Sequence, residues 1–530
     1  MWILAFNITH DASVTLLKDG EVVFHIQEER ITHKKYDSSP LNTLKKVKEY
    51  TDTVDICAYT FLHLDENKSS VKTYYKYITQ ILGITVKNVV NLSQDHHLLH
   101  ATCGFVHSGF DNAAVMVMDG GGANISPTQI EIESIFTFTK PQTFYTIKQN
   151  YSGEGFIGAG QVYAAVTSYL GWDPIQCGKT MGLFSYGKEN PKVKKLITER
   201  GGVTTLFKNT AKKQGLIGYS LRDYSWLKNI EKEDIAYRVQ KDFEDYVLDF
   251  VLKTLELTGN KNLVWTGGCA LNCVANFNLR KKLPKDVNLY VEPISSDSGI
   301  SLGAAYFCEM GREGGGLTDR KSISTLYLGE KLKYDYTLLE NEIEKPILPK
   351  EVANLIVDGN IVAIAQGRSE SGPRALGNRS ILFDPRVSNG KDIVNKVKGR
   401  ESFRPFAGTV LFERTHEWFD MGELIESPNM MYTVNVLYPE KIPAITHVDG
   451  TCRIQTLKKE QNKNYYNLIS EFYNLTGVPI LFNTSFNKAG DTIVDTMEDA
   501  LNTLRTSKIE YLYLPEINKL IYIPNEKSIC

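Results

Sequence analysis

The sequence predicts a mixed α/β protein of two or three domains. Three observations point there. The chain has 530 residues, too many for one hydrophobic core. A strand–glycine-turn–strand layout occurs twice in its first half, and a long segment of helical period follows. The first copy of the layout runs from the apolar residues 2–6 to Val14–Leu17, turns at Asp19-Gly20 and resumes at Val22–Phe24. Two β-rich runs joined through Asp-Gly are a strong hairpin signal. The second copy is Ala113–Met118, ended by Asp119, then Gly120-Gly121-Gly122, then Ile130–Phe138 in alternation.

Such duplication occurs in the actin/sugar-kinase fold, in which two mixed α/β halves close on a nucleotide. Ile235–Leu257 sets Ala236, Val239, Phe243, Val247, Phe250, Val251 and Leu255 at helical spacing, which predicts a long amphipathic helix. Glu309–Lys321 (EMGREGGGLTDRK) is polar and glycine-rich and reads as a linker. Beyond it Ile361–Ala365 predicts a buried strand, and the chain becomes dense in arginine and glycine. A domain boundary is expected within 325–345, dividing the chain as 1–335 and 336–530.

Bulk properties exclude several classes. Apolar residues make up 42% and charged residues 23%, ordinary values for a globular protein. A net charge of −2 supplies no general attraction to nucleic acid or to anionic membrane. No apolar run reaches the length of a spanning helix, and MWILAFNITHDAS lacks the basic start of a signal peptide. Cys57, Cys103, Cys177, Cys269, Cys273, Cys308, Cys452 and Cys530 fit neither a disulfide framework nor a zinc ribbon. A reducing, cytoplasmic compartment is the expectation. Cys269 and Cys273, four apart on an expected helix, read as packing residues.

SQDHHLLHATCGF carries His96, His97 and His100. On a helix His96 and His100 lie one turn apart on one face and can share a divalent metal. His97 is rotated by about 100° and faces elsewhere. Asp119 at a strand end and Asp297 in ISSDSGISLGAA are the carboxylates placed to complete such a site. Alone, this histidine pattern reads more readily as a polar helix with core or solvated histidines; the neighbouring motifs reverse that preference.

Glycine turns follow apolar strands at Asp119–Gly122 (with Gly120 and Gly121), at Gly267-Gly268 in VWTGGCALN, and at Gly299 in DSGISLG. Backbone N–H groups at such turns can approach phosphate or ribose closely. Singly they are ordinary turn chemistry; three in order favour a nucleotide site. CGKTMGLFSYGK lacks the spacing of a P-loop, so Lys179 reads there as a surface lysine.

The C-terminal part holds the densest signal. QGRSESGPRALGNRSILFDPR carries Arg368, Arg374, Arg379 and Arg386, and KVKGRESFRPF carries Lys396, Lys398, Arg400 and Arg404. Arg453 follows, then Ser485 and Asn487 in LFNTSFN. Arginine binds phosphate through forked donors, and a polyphosphate needs several of them converging. Interleaved Gly, Pro and Phe suit tight turns and burial rather than a solvated basic face.

With these motifs in hand, the chain resembles the NodU/CmcH family of O-carbamoyltransferases, the group that includes the tobramycin-type antibiotic enzyme. The resemblance covers essentially the whole length. It rests on HDAS (10–13), EER with a downstream K-x-D (28–37), HHLLHA (96–101), MDGGG (118–122), GKTMGL (178–183), GGCALN (267–272), SDSGISLGAA (296–305), GPRALGNRSIL (372–382), RESFRPF (400–406) and NTSFN (483–487). It implies an N-terminal domain like the actin-fold domain of tRNA threonylcarbamoyl transferases and a YrdC-like C-terminal α/β domain. It also implies carbamoyladenylate made from carbamoyl phosphate and ATP (with Mg), then attack by an acceptor hydroxyl beside a metal, Fe(II) being the usual ion.

Carried onto this sequence, the resemblance makes His96, His100, Asp119 and Asp297 the metal group. Gly120, Gly121, Gly267, Gly268, Asn272 and Gly299 become the N-terminal nucleotide site. Arg374, Arg379, Lys398, Arg404, Arg453, Ser485 and Asn487 become the carbamoyl phosphate and ATP site. His10, Lys35 and Lys179 stand as catalytic candidates. The chain departs from the family at Gln176-Cys177, where a Glu often precedes Gly-Lys, and at Cys269, where small apolar residues are common. The rival readings are a threonylcarbamoyl-type tRNA-modification fusion and an ATP-binding regulatory scaffold. The acceptor stays open: a small or sugar-like hydroxyl is favoured, and a hydroxymethylated nucleotide or DNA is the alternative. Basic clusters for the latter lie at Lys192, Lys194 and Lys195, at Lys208, Lys212 and Lys213, and at Arg280, Lys281, Lys282 and Lys285. No membrane partner is expected, and the oligomeric state is not legible.

Overall fold

Asp19-Gly20 makes the first turn. In the computed structural model Asp19 and Gly20 take φ of 51° and 84°, the paired positive values of a tight hairpin. The structure describes residues 1–61, 68–126, 129–141, 143–153, 157–197, 207–213, 216–221, 225–311, 323 and 325–524. Most of the expected linker Glu309–Lys321, the side chains of Lys208, Lys212 and Lys213, and Cys530 lie outside the described residues.

The hairpin belongs to the first sheet. Trp2–Ile8 (β1), Ser13–Lys18 (β2) and Glu21–Gln27 (β3) are antiparallel neighbours, and Thr53–Phe61 (β4) and Thr85–Asn91 (β5) continue the sheet in parallel beyond β1. The order is β3-β2-β1-β4-β5. The second sheet repeats this plan. Asn112–Met118 (β6), Asn124–Ser126 (β7), Gln129–Thr139 (β8) and Thr143–Ser152 (β9) form its antiparallel part, with β6 beside β8 and β8 beside both β7 and β9. A separate hairpin joins Phe207–Lys213 (β10) to Leu216–Leu221 (β11). Asn262–Thr266 (β12) and Asn288–Val291 (β13) then extend the second sheet in parallel beyond β6. Each sheet is thus an antiparallel ribbon followed by two strands parallel to the ribbon's inner strand. The duplication read in the sequence is present in the strand order.

Two helices pack together within this part of the chain. His96–Ser108 is buried at every position and lies against Ile300–Met310, β6 and β12. It ends at Gly109, whose φ of 72° is the left-handed stop that glycine accepts freely. The long helix spans Lys232–Thr258 and buries Ile235, Ala236, Val239, Phe243, Val247, Phe250 and Val251 on one face, as its periodicity predicts. Each of the Ile, Val and Phe side chains taken from water contributes about 1.5–3 kcal/mol before entropy is counted.

The remaining sheet has ten strands. They are Ile343–Pro346 (β14), Val362–Ala365 (β15), Arg379–Phe383 (β16), Ala407–Leu411 (β17), Phe419–Asp420 (β18), Thr433–Val436 (β19), Thr451–Leu457 (β20), Ile480–Ser485 (β21), Tyr511–Leu514 (β22) and Lys519–Tyr522 (β23). Their order is β14-β23-β22-β15-β16-β21-β17-β20-β19-β18. β15, β16 and β17 are buried at every residue, which places them at the core.

By contacts the chain forms two compact units: Met1–Glu28 with Tyr36–Ile323, and Glu29–Lys35 with Ser324–Cys530. The short piece Glu29–Lys35 is therefore part of the second unit although it precedes nearly all of the first. Among the described residues, no helix is long and apolar enough to cross a membrane.

Candidate metal centre and anion site

In the first unit the C-terminal ends of parallel strands converge. β6 ends at Met118, so Asp119 stands at the sheet edge. Asp297 begins a short turn after β13, and the helix starting at His96 presents His96 and His100 toward both carboxylates. The ends of parallel strands are where α/β sheets place ligands. His96 Nε2 lies 3.6 Å from Asp119 Oδ2 and 3.7 Å from Asp297 Oδ1. His100 Nε2 lies 3.2 Å and 3.8 Å from the same two atoms. All four donor atoms fall within 4.8 Å of one another.

This geometry fits a cation. Ligand atoms around an ion with bonds of ~2.1 Å stand about 3.0–3.4 Å apart as neighbours and about 4.2 Å apart across the ion, and the four pairs here, at 3.2–3.8 Å, fall between those limits. His96 Nε2, His100 Nε2 and Asp119 Oδ2 are buried without a well-formed hydrogen bond, which is costly for groups meant only to pair with each other. Two carboxylates balance a dication, and two imidazoles with carboxylates suit iron, manganese or zinc. Burial opposes the charged form of Asp119, yet the imidazoles of His100 and His96 outweigh it and hold that carboxyl well below the usual range. Burial likewise works against the His100 cation, but Asp119 and Asp297 push it up to about 9.

Asp297 is held by residues far away in sequence. Asn7 Nδ2 donates to the Asp297 backbone oxygen at 3.1 Å, and Ser13 Oγ donates to that of Ser298 at 2.7 Å. His25 Nε2 reaches the same Ser298 oxygen at 2.8 Å. Ser13 closes the HDAS motif, whereas Asn7 and His25 belong to none of the motifs named above. His10 joins the group, its Nδ1 3.4 Å from Asp297 Oδ2. Burial lowers the His10 pKa, but Asp297, Asp11, Asp119 and Asp173 together raise it above the ordinary histidine value. His97 faces away, as its place on the helix predicts. Its Nδ1 lies 2.9 Å from Ser134 Oγ, which donates to Glu131 Oε1 at 2.6 Å.

The glycine turns border this centre. Gly267 takes φ of 86°, and a Cβ there would lie 2.3 Å from the Met118 oxygen, so the turn after β12 can press on the end of β6. A Cβ on Gly268 would lie 3.0 Å from Asp119 Oδ1. Gly120 donates its N–H to Asp119 Oδ1 at 2.5 Å, Gly121 packs on Ile130, and Gly299 closes the turn that begins at Asp297. The Asn272 side chain accepts from Ala275 N–H, capping the helix Cys273–Lys282, and its amide donates to Gln240 Oε1 at 2.9 Å. That cap corrects the reading of Cys269 and Cys273 as one helix. Cys269 lies in the turn Gly268–Leu271, and Asn272 breaks the backbone before Cys273. Lys179 stands 5.9 Å over the Trp172 ring.

A second buried group, Cys103, His107 and Glu292, was not foreseen. His107 Nδ1 lies 3.0 Å from Glu292 Oε2, and Nε2 lies 3.2 Å from Tyr306 Oη. Both ring nitrogens are used, which marks a satisfied core network.

In the second unit cations gather. Lys398, at the end of the helix Gly390–Lys398, donates to the Ser485 backbone oxygen and to Asn487 Oδ1. Ser485 Oγ donates to Asn487 Oδ1 at 2.6 Å. Burial, then Arg400, Arg404 and Lys35, push the Lys398 ammonium well below the ordinary lysine value. Arg400 is lowered as well, by burial and then by Arg404 and Arg453. Such crowding of like charges around the buried Lys398, with Glu401 3.7 Å from Arg404 as a counter-charge, favours an anion. Lys398, Arg404, Arg453, Ser485 and Asn487 are thus brought together, and Lys35 with them. Arg374 lies on the loop that follows Gly372. Gln455 Nε2 donates to the Leu376 oxygen at 3.0 Å, so this loop is tied to β20, the strand of Arg453.

Arg379 differs. It is fully buried, and its guanidinium donates to the backbone oxygens of Asp495, Gln366, Asn378 and Gly367. Its donors hold the scaffold together.

Comparison with known proteins follows this division. The family model described as Carbamoyltransferase N-terminus matches residues 58–306, and that described as Carbamoyltransferase C-terminus matches residues 353–519. The chain is 30% identical to nodulation protein NolNO of Sinorhizobium fredii, over 95% of this chain and 78% of that protein. It is 32% identical to protein sll1178 of Synechocystis, over 95% and 94%. It is 34% identical to 3'-hydroxymethylcephem-O-carbamoyltransferase of Amycolatopsis lactamdurans, over 46% of each.

Proposed function

The chain belongs to the carbamoyltransferase family, and from that premise we propose an ATP-dependent O-carbamoyltransferase working in two steps, one in each unit. Water hydrolyses carbamoyl phosphate, its oxygen bonding to the carbamoyl carbon as phosphate leaves, and carbamate remains. A carbamate oxygen then attacks the α-phosphorus of ATP, pyrophosphate leaves, and carbamoyladenylate forms. In the second step an acceptor hydroxyl oxygen attacks the carbamoyl carbon, and AMP leaves with the bonding pair. The observation that carries the first step is the crowded cationic group of Lys398, Arg400, Arg404 and Arg453, which suits a phosphate-bearing ligand. Arg374, Ser485 and Asn487 are its further contacts in this reading.

The second step belongs to the first unit, read as actin-like, with the second unit read as YrdC-like. His96, His100, Asp119 and Asp297 would hold a divalent ion, Fe(II) being our choice. When bound, the ion supplies Lewis-acid stabilisation of charge on carbonyl and phosphate oxygens. Gly120, Gly121, Gly267, Gly268 and Gly299 offer backbone N–H groups and close approach to the adenylate. His10, whose Nδ1 lies 3.4 Å from Asp297, is our candidate to take the acceptor proton. Lys35 and Lys179 remain candidates for stabilising charge on the transferred group. Free cysteines and the two metabolites fit a cytoplasmic setting.

The acceptor we favour is a small or sugar-like hydroxyl. The net charge of −2 gives no general hold on a polyanion. Pyrophosphate and AMP release with ATP and carbamoyl phosphate tests the reaction, and unchanged bound ATP would sink it. Mass spectrometry of sugar and hydroxymethylated DNA acceptors across a salt series tests the acceptor. Carbamoylation of DNA with a steep inverse salt dependence would overturn the preference.

A further inference from the structure

We propose that Arg30 is a phosphate-binding residue of the cationic site in the second unit, an inference that rests on the carbamoyl phosphate and ATP reading of that site. Arg30 belongs to the piece Glu29–Lys35, which is part of the second unit. Its side chain is 4% exposed. One nitrogen, Nη2, donates to the Gly372 oxygen at 3.0 Å. Nε and Nη1 are both enclosed and have no hydrogen-bond partner among the described residues. A guanidinium cannot shed its proton to escape this, so burial with idle donors is costly unless an acceptor arrives. Arg379 shows the contrast: comparably enclosed, it spends its donors on four backbone oxygens. Arg30 is built into the same region with donors to spare.

Its surroundings say what the acceptor is. Gly372 opens the loop that carries Arg374. Asn483 Nδ2 donates to the Ala375 oxygen at 3.4 Å, tying that loop to β21, the strand of Ser485. Five residues beyond Arg30, Lys35 is near enough to Lys398 to act on its charge. His33, between them, fixes the piece through Asp499 Oδ1 at 3.1 Å. The segment therefore meets the arginine-rich group at two points, and a phosphoryl oxygen is the ligand atom both would serve. Carbamoyl phosphate and ATP share that chemistry.

The test uses the full-length protein and calorimetric titration with inorganic phosphate, carbamoyl phosphate and ATP in separate arms. Arg30→Gln should weaken binding in at least one arm by about tenfold or more, as expected when a charge-assisted donor to a phosphate is lost. The arm affected identifies which phosphate Arg30 holds. Arg30→Lys keeps one donor for the Gly372 oxygen but lacks the fork. It should bind phosphate more weakly than wild type while its ligand-free melting temperature stays near that of wild type. Wild-type affinities within about twofold in all arms for Arg30→Lys overturn the proposal, because anchoring Gly372 would then be its whole role. Arg374→Ala serves as the control for the site itself. If it too leaves every affinity unchanged, the cationic-site reading has failed; if it alone weakens binding, only the Arg30 inference has.

Discussion

A Cβ on Gly303 would lie 2.0 Å from the Leu99 backbone oxygen. The helices Ile300–Met310 and His96–Ser108 therefore touch backbone to backbone one turn from His96 and near His100. Backbone cannot swing aside as a side chain can, so Gly303→Ala must push the helices apart. We expect a loss of about 1–3 kcal/mol of stability by urea unfolding, together with weaker metal retention. Wild-type unfolding and wild-type metal content in this variant would show that the close approach does not set the histidines.

Replacing His96 or His100 with Ala should reduce bound metal from near stoichiometric to trace, measured by elemental analysis of the purified protein. Carbamoyl transfer should fail in both, whereas pyrophosphate release should persist, because the adenylating site is assigned to the other unit. Full metal content in both variants would refute the ligand assignment.

Arg374→Ala and Arg453→Ala should cut pyrophosphate release by about a hundredfold or more, the usual scale for removing a preorganised charge from a transferring phosphoryl group. Supplied carbamoyladenylate should still be consumed. Turnover of carbamoyl phosphate at wild-type rates by both would put the anion site elsewhere.

Phosphate binding should take up a proton. Lys398 is held well below its ordinary pKa by burial and by Arg400, Arg404 and Lys35, and an anion favours its charged form. The free site is thus less protonated than the bound one, and affinity should fall as pH rises. Above about pH 8, where phosphate is already a dianion, binding enthalpy should vary with the ionisation enthalpy of the buffer, and Lys398→Met should abolish the variation. Buffer-independent enthalpies in the wild type would contradict it.

Much of this was legible in local pattern. The spacing of His96 and His100 works because helical period is a local property, and Asp119 was visible as the end of an apolar strand. The double sheet plan followed from two Gly-turn layouts. What was not legible lies in contacts between distant residues. Arg379 and Arg374 occur in one motif, yet Arg379 turns to the Asp495 oxygen, 116 residues on. Asn7, which holds the Asp297 turn from nearly 300 residues away, looks like an ordinary strand polar residue, and nothing in HDAS says that Ser13 bonds the Ser298 oxygen. Arg30 hides in a short charged helix whose burial depends on chain made much later. The family resemblance makes Asn272 a nucleotide contact, and local capping rules also describe the bonds it makes.

The discontinuity of the second unit bears on how the protein can be taken apart. A gene fragment beginning at Ser324 encodes the ten-stranded sheet but omits Glu29–Lys35. Such a fragment would lack two cations, Arg30 and Lys35, and the His33 anchor to Asp499. During synthesis this piece leaves the ribosome long before Gly372 and Asp499, its partners in the second unit. Cutting the chain at the glycine-rich stretch thus yields a fragment with a piece missing rather than a domain, and a peptide spanning residues 29–35 supplied in trans is what would complete it.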